Sequence, residues 1–195
     1  MLNRTQYFIR EHVGLLKLTD VYDILDPESQ LKIGEAREEV SWLVRILRLF
    51  INKSLMPTVV NVYEGADENS RSLLFSIRRG VALFRPQVDV KDATGSSLGH
   101  FRSKAFSLGG AFDVFSADGR QVALLKGDWK GWNFRFLAGE TELGLVTKKW
   151  AGLGKELFTS ADNYMISIHG APDPGTSALF LAAGLAIDTV LKEKE

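Results

Sequence analysis

The sequence predicts a β-rich (α+β) chain: a closed antiparallel barrel of about twelve strands around a buried hydrophobic C-terminal helix. Three observations carry that prediction. First, Ser177 to Leu191 reads as a helix with no polar side chain between Ala178 and Ile187, and a helix apolar all round must be wrapped on every side. Second, four segments repeat one pattern of alternating residues, an Asp/Gly-rich turn and alternating residues again, which is the hairpin signature. Third, the strands number about a dozen, and a sheet that wide must close or split. A closed barrel of that size has a lumen too wide for its own side chains, and a helix of about 10 Å diameter fills it.

The elements follow in chain order. Tyr7 to Glu11 reads as a short strand, and Tyr22 to Gly34 is the first hairpin, turning at Asp26-Pro27-Glu28-Ser29. Residues 41–54 read as an accessory amphipathic helix capped by Ser41 and ending before Pro57. Its Arg45, Arg48 and Asn52 form a narrow polar stripe beside a wide apolar face that includes Trp42. Packing across a barrel end is the simpler role for it; an interfacial helix with basic residues beside an apolar face is the functional one. Thr58 to Glu64 and Leu73 to Arg79 are strands by β-branched and aromatic content. Three further hairpins span Val88 to Gly99, Phe112 to Ala123 and Phe134 to Gly144. Asn163 to Ile168 is the last strand before the terminal helix. The helix covers about 22 Å at 1.5 Å per residue, short of the roughly 20 residues of a membrane span. Ala178, Ala182, Ala183, Gly184 and Ala186 make it thin, which suits a tight tunnel.

The 195 residues make one domain, 1–195, with a full core. With 24 basic and 24 acidic residues there is no net field to draw the chain onto nucleic acid or membrane, so such binding must come from a local patch. The chain has no cysteine, which excludes disulfides, thiolate metal sites and thiol catalysis. Met1 to Arg10 contains no apolar run of the signal-peptide kind. The expectation is a cytoplasmic protein, peripheral at the inner face of the plasma membrane if it binds lipid.

Asp128-Trp129-Lys130-Gly131-Trp132-Asn133-Phe134, then Thr147-Lys148-Lys149-Trp150 running on to Phe158, then Ser160-Ala161-Asp162-Asn163-Tyr164 before a Pro-containing loop and an apolar terminal helix, resemble the phospholipid scramblase family. The plant LURP-one-related proteins and small bacterial relatives are similar. The resemblance covers most of the chain from about Gly14. It implies the tubby C-terminal-like fold, a twelve-stranded barrel around a buried C-terminal helix. It also implies contact with anionic phospholipid or phosphoinositide headgroups. The animal members' acidic calcium loop is matched only by Asp162 and Asp173, and calcium wants six to eight oxygen ligands, so calcium-driven lipid movement is not expected here.

No enzyme chemistry, metal or cofactor is expected. Gly95-Ser96-Ser97-Leu98-Gly99 matches a hydrolase elbow, but that motif needs a strand-to-helix turn, and here it occupies a hairpin turn. His12, His100 and His169 lack metal-ligand spacing. The remaining chemistry is binding. His100, Arg102 and Lys104 alternate on one strand, Ser97 to Phe106, and so share a face; Arg78, Arg79 and Arg85 lie on or near a preceding strand. These five cations, Arg78, Arg79, Arg85, Arg102 and Lys104, are the candidate lipid-binding set. Trp42, Arg45 and Arg48 are the candidate membrane contacts, and Lys126, Lys130, Lys148, Lys149 and Lys155 add charge near Trp129, Trp132 and Trp150. The alternative is a structural or protein-interaction module without lipid activity. A nucleic-acid-binding regulator is disfavoured by the zero net charge.

Overall fold

The computed structural model describes residues 1–12, 19–39, 57–80, 87–104, 111–128, 132–148, 163–171 and 173–187. Twelve strands follow in order: β1 (Gln6–Glu11), β2 (Val21–Leu25), β3 (Lys32–Glu39), β4 (Thr58–Glu64), β5 (Ser72–Arg79) and β6 (Gln87–Asp92). Then come β7 (Ser97–Ser103), β8 (Ala111–Ser116), β9 (Gln121–Asp128), β10 (Asn133–Ala138), β11 (Thr141–Thr147) and β12 (Asn163–Ile168), and one helix, α1 (Pro174–Ala186). The expected helix at 41–54 lies outside the described residues.

Each strand pairs antiparallel with its sequence neighbours, and β1 closes the ring by pairing with both β2 and β12. Phe8 is the hinge of that closure, opposite Leu25 on one side and Met165 on the other. All four hairpins form where the sequence pattern places them. Their turns rest on carboxylates that satisfy local backbone N–H groups. Asp92 Oδ1 accepts from the N–H of Thr94 and of Ser96, each at 2.9 Å. Asp26 Oδ1 accepts from the N–H of Ser29 at 2.8 Å.

Period-two alternation sets the walls. Thr58, Val60 and Val62 of β4 point inward and are buried, as do Phe75 and Ile77 of β5. The lumen is filled by α1, whose residues from Ser177 to Ile187 are all buried. Phe180 stacks on Phe136 with ring centroids 4.2 Å apart. The small residues permit this fit: a Cβ on Gly184 would lie 2.4 Å from Ile166 Cδ1. On β7, Gly99 has φ +148° and lies under the Leu179 side chain, and a Cβ there would meet the Phe115 carbonyl oxygen at 2.1 Å.

The helix begins three residues before the sequence expectation of Ser177. Asp173 is its N-cap, accepting from the N–H of Gly175 at 2.9 Å and of Thr176 at 3.1 Å, and Pro174 occupies the first turn. This is the cap-then-proline start that favours helix entry. The expected end at Leu191 lies outside the described residues. A second apolar cluster, Phe8, Leu25 and Met165, is buried on the outer side of β1, β2 and β12.

All described hairpin turns lie at one end of the barrel, with the passage from β12 into α1. The joins β1–β2, β3–β4, β5–β6, β7–β8, β9–β10 and β11–β12 all begin and end at the other.

Candidate functional site

Strand alternation decides which cations reach the outer wall. Phe101 of β7 is buried in the core, so His100 and Arg102 point out. Ile77 of β5 points in and Arg78 out; Leu125 of β9 points in and Lys126 out; Val90 of β6 points in and Lys91 out. Neighbouring registers join Arg78 to Asp89, Asp89 to His100 and His100 to Phe115 in one row across β5–β8. Phe115 organises the middle of this face. His100 stacks on it at 4.7 Å with 14° between the rings. The Arg102 guanidinium carbon lies 5.2 Å from the same ring's centroid, a contact that positions the cation without neutralising it. Burial, with the nearby Arg102 charge, pushes the His100 pKa below its ordinary value, so the imidazole is neutral at pH 7.

The distribution of ion pairs separates this face from the rest of the wall. On β1–β3, Asp23 is ion-paired with Arg10 at 3.0 Å and Lys32 at 2.8 Å, and His12 Nε2 lies 2.8 Å from the same carboxylate. Glu35 continues the network to Lys32 at 2.8 Å, Arg37 at 2.9 Å and Arg71 at 3.2 Å. On β10, Arg135 pairs with Glu142 at 3.4 Å. Thus every described strand cation on β1–β4 and β10–β12 has a carboxylate. Arg78, Lys91, Arg102 and Lys126, the outward strand cations with no ion pair among the described residues, all lie on β5–β9. Arg78, Arg102 and Lys126 are exposed.

Arg79 does not belong to that face. Successive side chains of a strand take opposite sides, so with Arg78 outside, Arg79 is inside. It is 5% exposed and donates to Thr58 Oγ1 at 3.3 Å. Lys104, just past β7, is half-exposed and paired with Asp113 at 3.2 Å, so it contributes less free charge than Arg102. Arg85, Trp42, Arg45 and Arg48 lie outside the described residues. Lys126, which sequence reasoning grouped with the tryptophan-rich segments, joins Arg78 and Arg102 because β9 extends past the hairpin pattern as far as Asp128.

Among the described residues no cluster of His, Asp or Glu could hold a metal ion. The Asp173 carboxylate is occupied by the start of α1 and also accepts from the Thr176 hydroxyl at 2.6 Å. Those bonds, the hydroxyl's first, hold its pKa below the ordinary carboxylate value. Ser97 begins strand β7 and not a helix, so the hydrolase-like spacing forms no nucleophile elbow. No described helix is long and apolar enough to cross a membrane.

No curated protein and no solved structure matches the chain. A protein-family model, Scramblase, matches residues 68–194, a span that takes in the unpaired-cation face, the tryptophan-rich segments and α1. With that match over most of its length, and a twelve-stranded barrel closed around an apolar helix, the chain belongs to the Scramblase family.

Proposed function

We propose that this protein is a non-enzymatic barrel that binds anionic phospholipid or phosphoinositide headgroups at a membrane surface, through the outer face of β5–β9. Family membership ties the chain to phospholipids in general. The observation that carries the finer reading is the concentration of exposed cations with no ion pair among the described residues on that face: Arg78, Arg102 and Lys126. An arginine without a carboxylate can turn its planar donor fork to phosphate; Arg78 donates from Nε to Ser76 Oγ at 3.3 Å, which leaves its terminal nitrogens for that role. Each Lys or Arg held near an anionic leaflet contributes about 1 kcal/mol. Asp89 and Asp113 lie among these cations, and their presence fits selection of a few headgroups over adhesion to any polyanion. The cytoplasmic leaflet, which carries the anionic lipid, is the expected surface.

The test is co-sedimentation with neutral and with phosphatidylserine-containing vesicles, at low and high salt. The wild-type protein should pellet with the anionic vesicles alone, and less so at high salt. Arg78→Glu/Arg102→Glu should weaken retention by about tenfold or more, as expected for two reversed charges. Unchanged retention in that variant would refute the assignment. A strict calcium requirement would also refute direct capture by these cations. Capture of a stoichiometric protein partner with no vesicle binding would favour the interaction-module reading.

A further inference from the structure

Opposite charges directly across a pair of antiparallel strands attract. Arg10 and Asp23, opposed on β1 and β2, meet at 3.0 Å. Arg78 and Asp89 are opposed in the same way on β5 and β6, where Cβ atoms lie about 5 Å apart, yet they form no ion pair among the described residues. Their side chains lean apart along the strands. Arg78 Nε donates to Ser76 Oγ at 3.3 Å, towards one end of the pair. Asp89 Oδ1 accepts from Gln87 Nε2 at 2.7 Å, towards the other end, where Gln87 faces Arg102.

Neighbouring carboxylates are engaged. Asp113 pairs with Lys104 at 3.2 Å and accepts from Gln121 Nε2 at 2.9 Å. Asp92 holds its own turn, and Asp118 pairs with Arg120 inside the β8–β9 turn at 2.6 Å. Among the described residues the Asp89 carboxylate has a neutral amide as its hydrogen-bond partner, which leaves its charge in place. On its far side stands His100, stacked on Phe115. An acid without a cation therefore lies beside a base without an anion, one strand spacing apart. Arg78 is exposed and Asp89 half-buried, and both belong to the face that carries the headgroup-binding reading.

We infer that Arg78 and Asp89 together recognise a phospholipid headgroup that bears a primary ammonium beside its phosphate, with Arg78 on the phosphate and Asp89 on the ammonium. The guanidinium fork suits phosphate oxygens. A primary ammonium has three donors and no acceptor, so a carboxylate is its natural partner. An ethylene bridge between the two groups suits charges on adjacent strands. A headgroup carrying further phosphates fits less well, because its added negative charge would face Asp89. The inference rests on the headgroup-binding reading and adds to it the class of headgroup.

The experiment is co-sedimentation of the full chain with phosphatidylcholine vesicles containing equal fractions of phosphatidylserine or of phosphatidylglycerol. Both lipids carry one net negative charge, and of the two only phosphatidylserine has an ammonium. The wild-type protein should be retained about fivefold better on phosphatidylserine, as expected for one exposed ionic contact. Phosphatidylethanolamine added to the phosphatidylglycerol vesicles should raise retention there. Asp89→Asn keeps an acceptor for Gln87 and removes the charge; it should bring the ratio of the two lipids to about one by raising retention on phosphatidylglycerol. Arg78→Gln should weaken retention on both. Equal wild-type retention on the two lipids would overturn the inference and leave headgroup binding standing. So would a preference undiminished in Asp89→Asn, or a preference that phosphatidylethanolamine fails to reproduce, which would assign it to the serine carboxylate. Absence of binding to either vesicle would overturn both readings. The wild-type comparisons need no substitution, so a variant that fails to fold does not spoil the test.

Discussion

Two cations, Arg10 and Lys32, and the His12 imidazole converge on Asp23, on the outside of the wall and yet only 5% exposed. Burial alone would push its pKa up; hydrogen bonds from Lys32, Arg10 and His12 outweigh that and hold it at about 2, against an ordinary 3.8. A carboxyl whose folded pKa is depressed stabilises the fold above its unfolded pKa, and that contribution fades as pH falls through the folded one. Stability should therefore decline between about pH 4 and pH 2, and Asp23→Asn should cost about 2 kcal/mol near neutrality. Urea unfolding of the two proteins at pH 7 and pH 3 checks this: the gap should narrow at the lower pH, and a constant gap would assign Asp23 a packing role only. Nothing in the sequence distinguishes Asp23 from other strand carboxylates. Its partners come from β1, the residue just past it and β3, and the register alone brings them together. Arg79 makes the same point in reverse: strand periodicity opposes it to Arg78, and a sequence search for charge clusters had counted both.

At the scale of elements, the hairpins and α1 were legible for different reasons. Hairpins are local: an Asp or Gly at a fixed place in an alternating stretch satisfies its own turn. The terminal helix announced itself by lacking a polar face. Its beginning was harder to place, because Asp173 and Pro174 act at the cap by geometry and not by hydrophobicity. Ala183 lies in the middle of α1 and is 1% exposed. Ala183→Asp would leave an unpaired carboxylate in the lumen, at a cost of several kcal/mol, and should abolish soluble expression. A soluble variant with native circular dichroism would mean that α1 is not the core. The β7 strand shows how closely wall and helix fit, since Leu179 rests on Gly99 where any Cβ would strike the Phe115 carbonyl.

For the whole molecule, β1 and β12 meet across most of the chain, with Gln6 opposite Ser167. Closing so long a loop carries an entropy cost that only complete closure offsets. The barrel has no interior without α1, and α1 has no apolar surroundings without the barrel. Unfolding should accordingly be a single transition, with coincident denaturant midpoints from tryptophan emission and far-ultraviolet circular dichroism. Separate midpoints would show that helix and barrel are independent units. The unpaired-cation face is also a property of this scale. It exists because the network around Asp23 and Glu35 neutralises one side of the ring, whereas among the described residues the strands β5–β9 carry only the Lys104–Asp113 pair.

The sequence by itself determined the class of fold: the number of strands, their antiparallel meander and the burial of the last helix. Those follow from periodicity and polarity, which are properties of neighbouring residues. It also marked Arg78, Arg79, Arg85, Arg102 and Lys104 as one basic group, of which all but Arg85 lie among the described residues. Only the tertiary structure decided which of those cations are free, which is buried and which is paired, because ion pairing depends on distances between strands far apart in the chain.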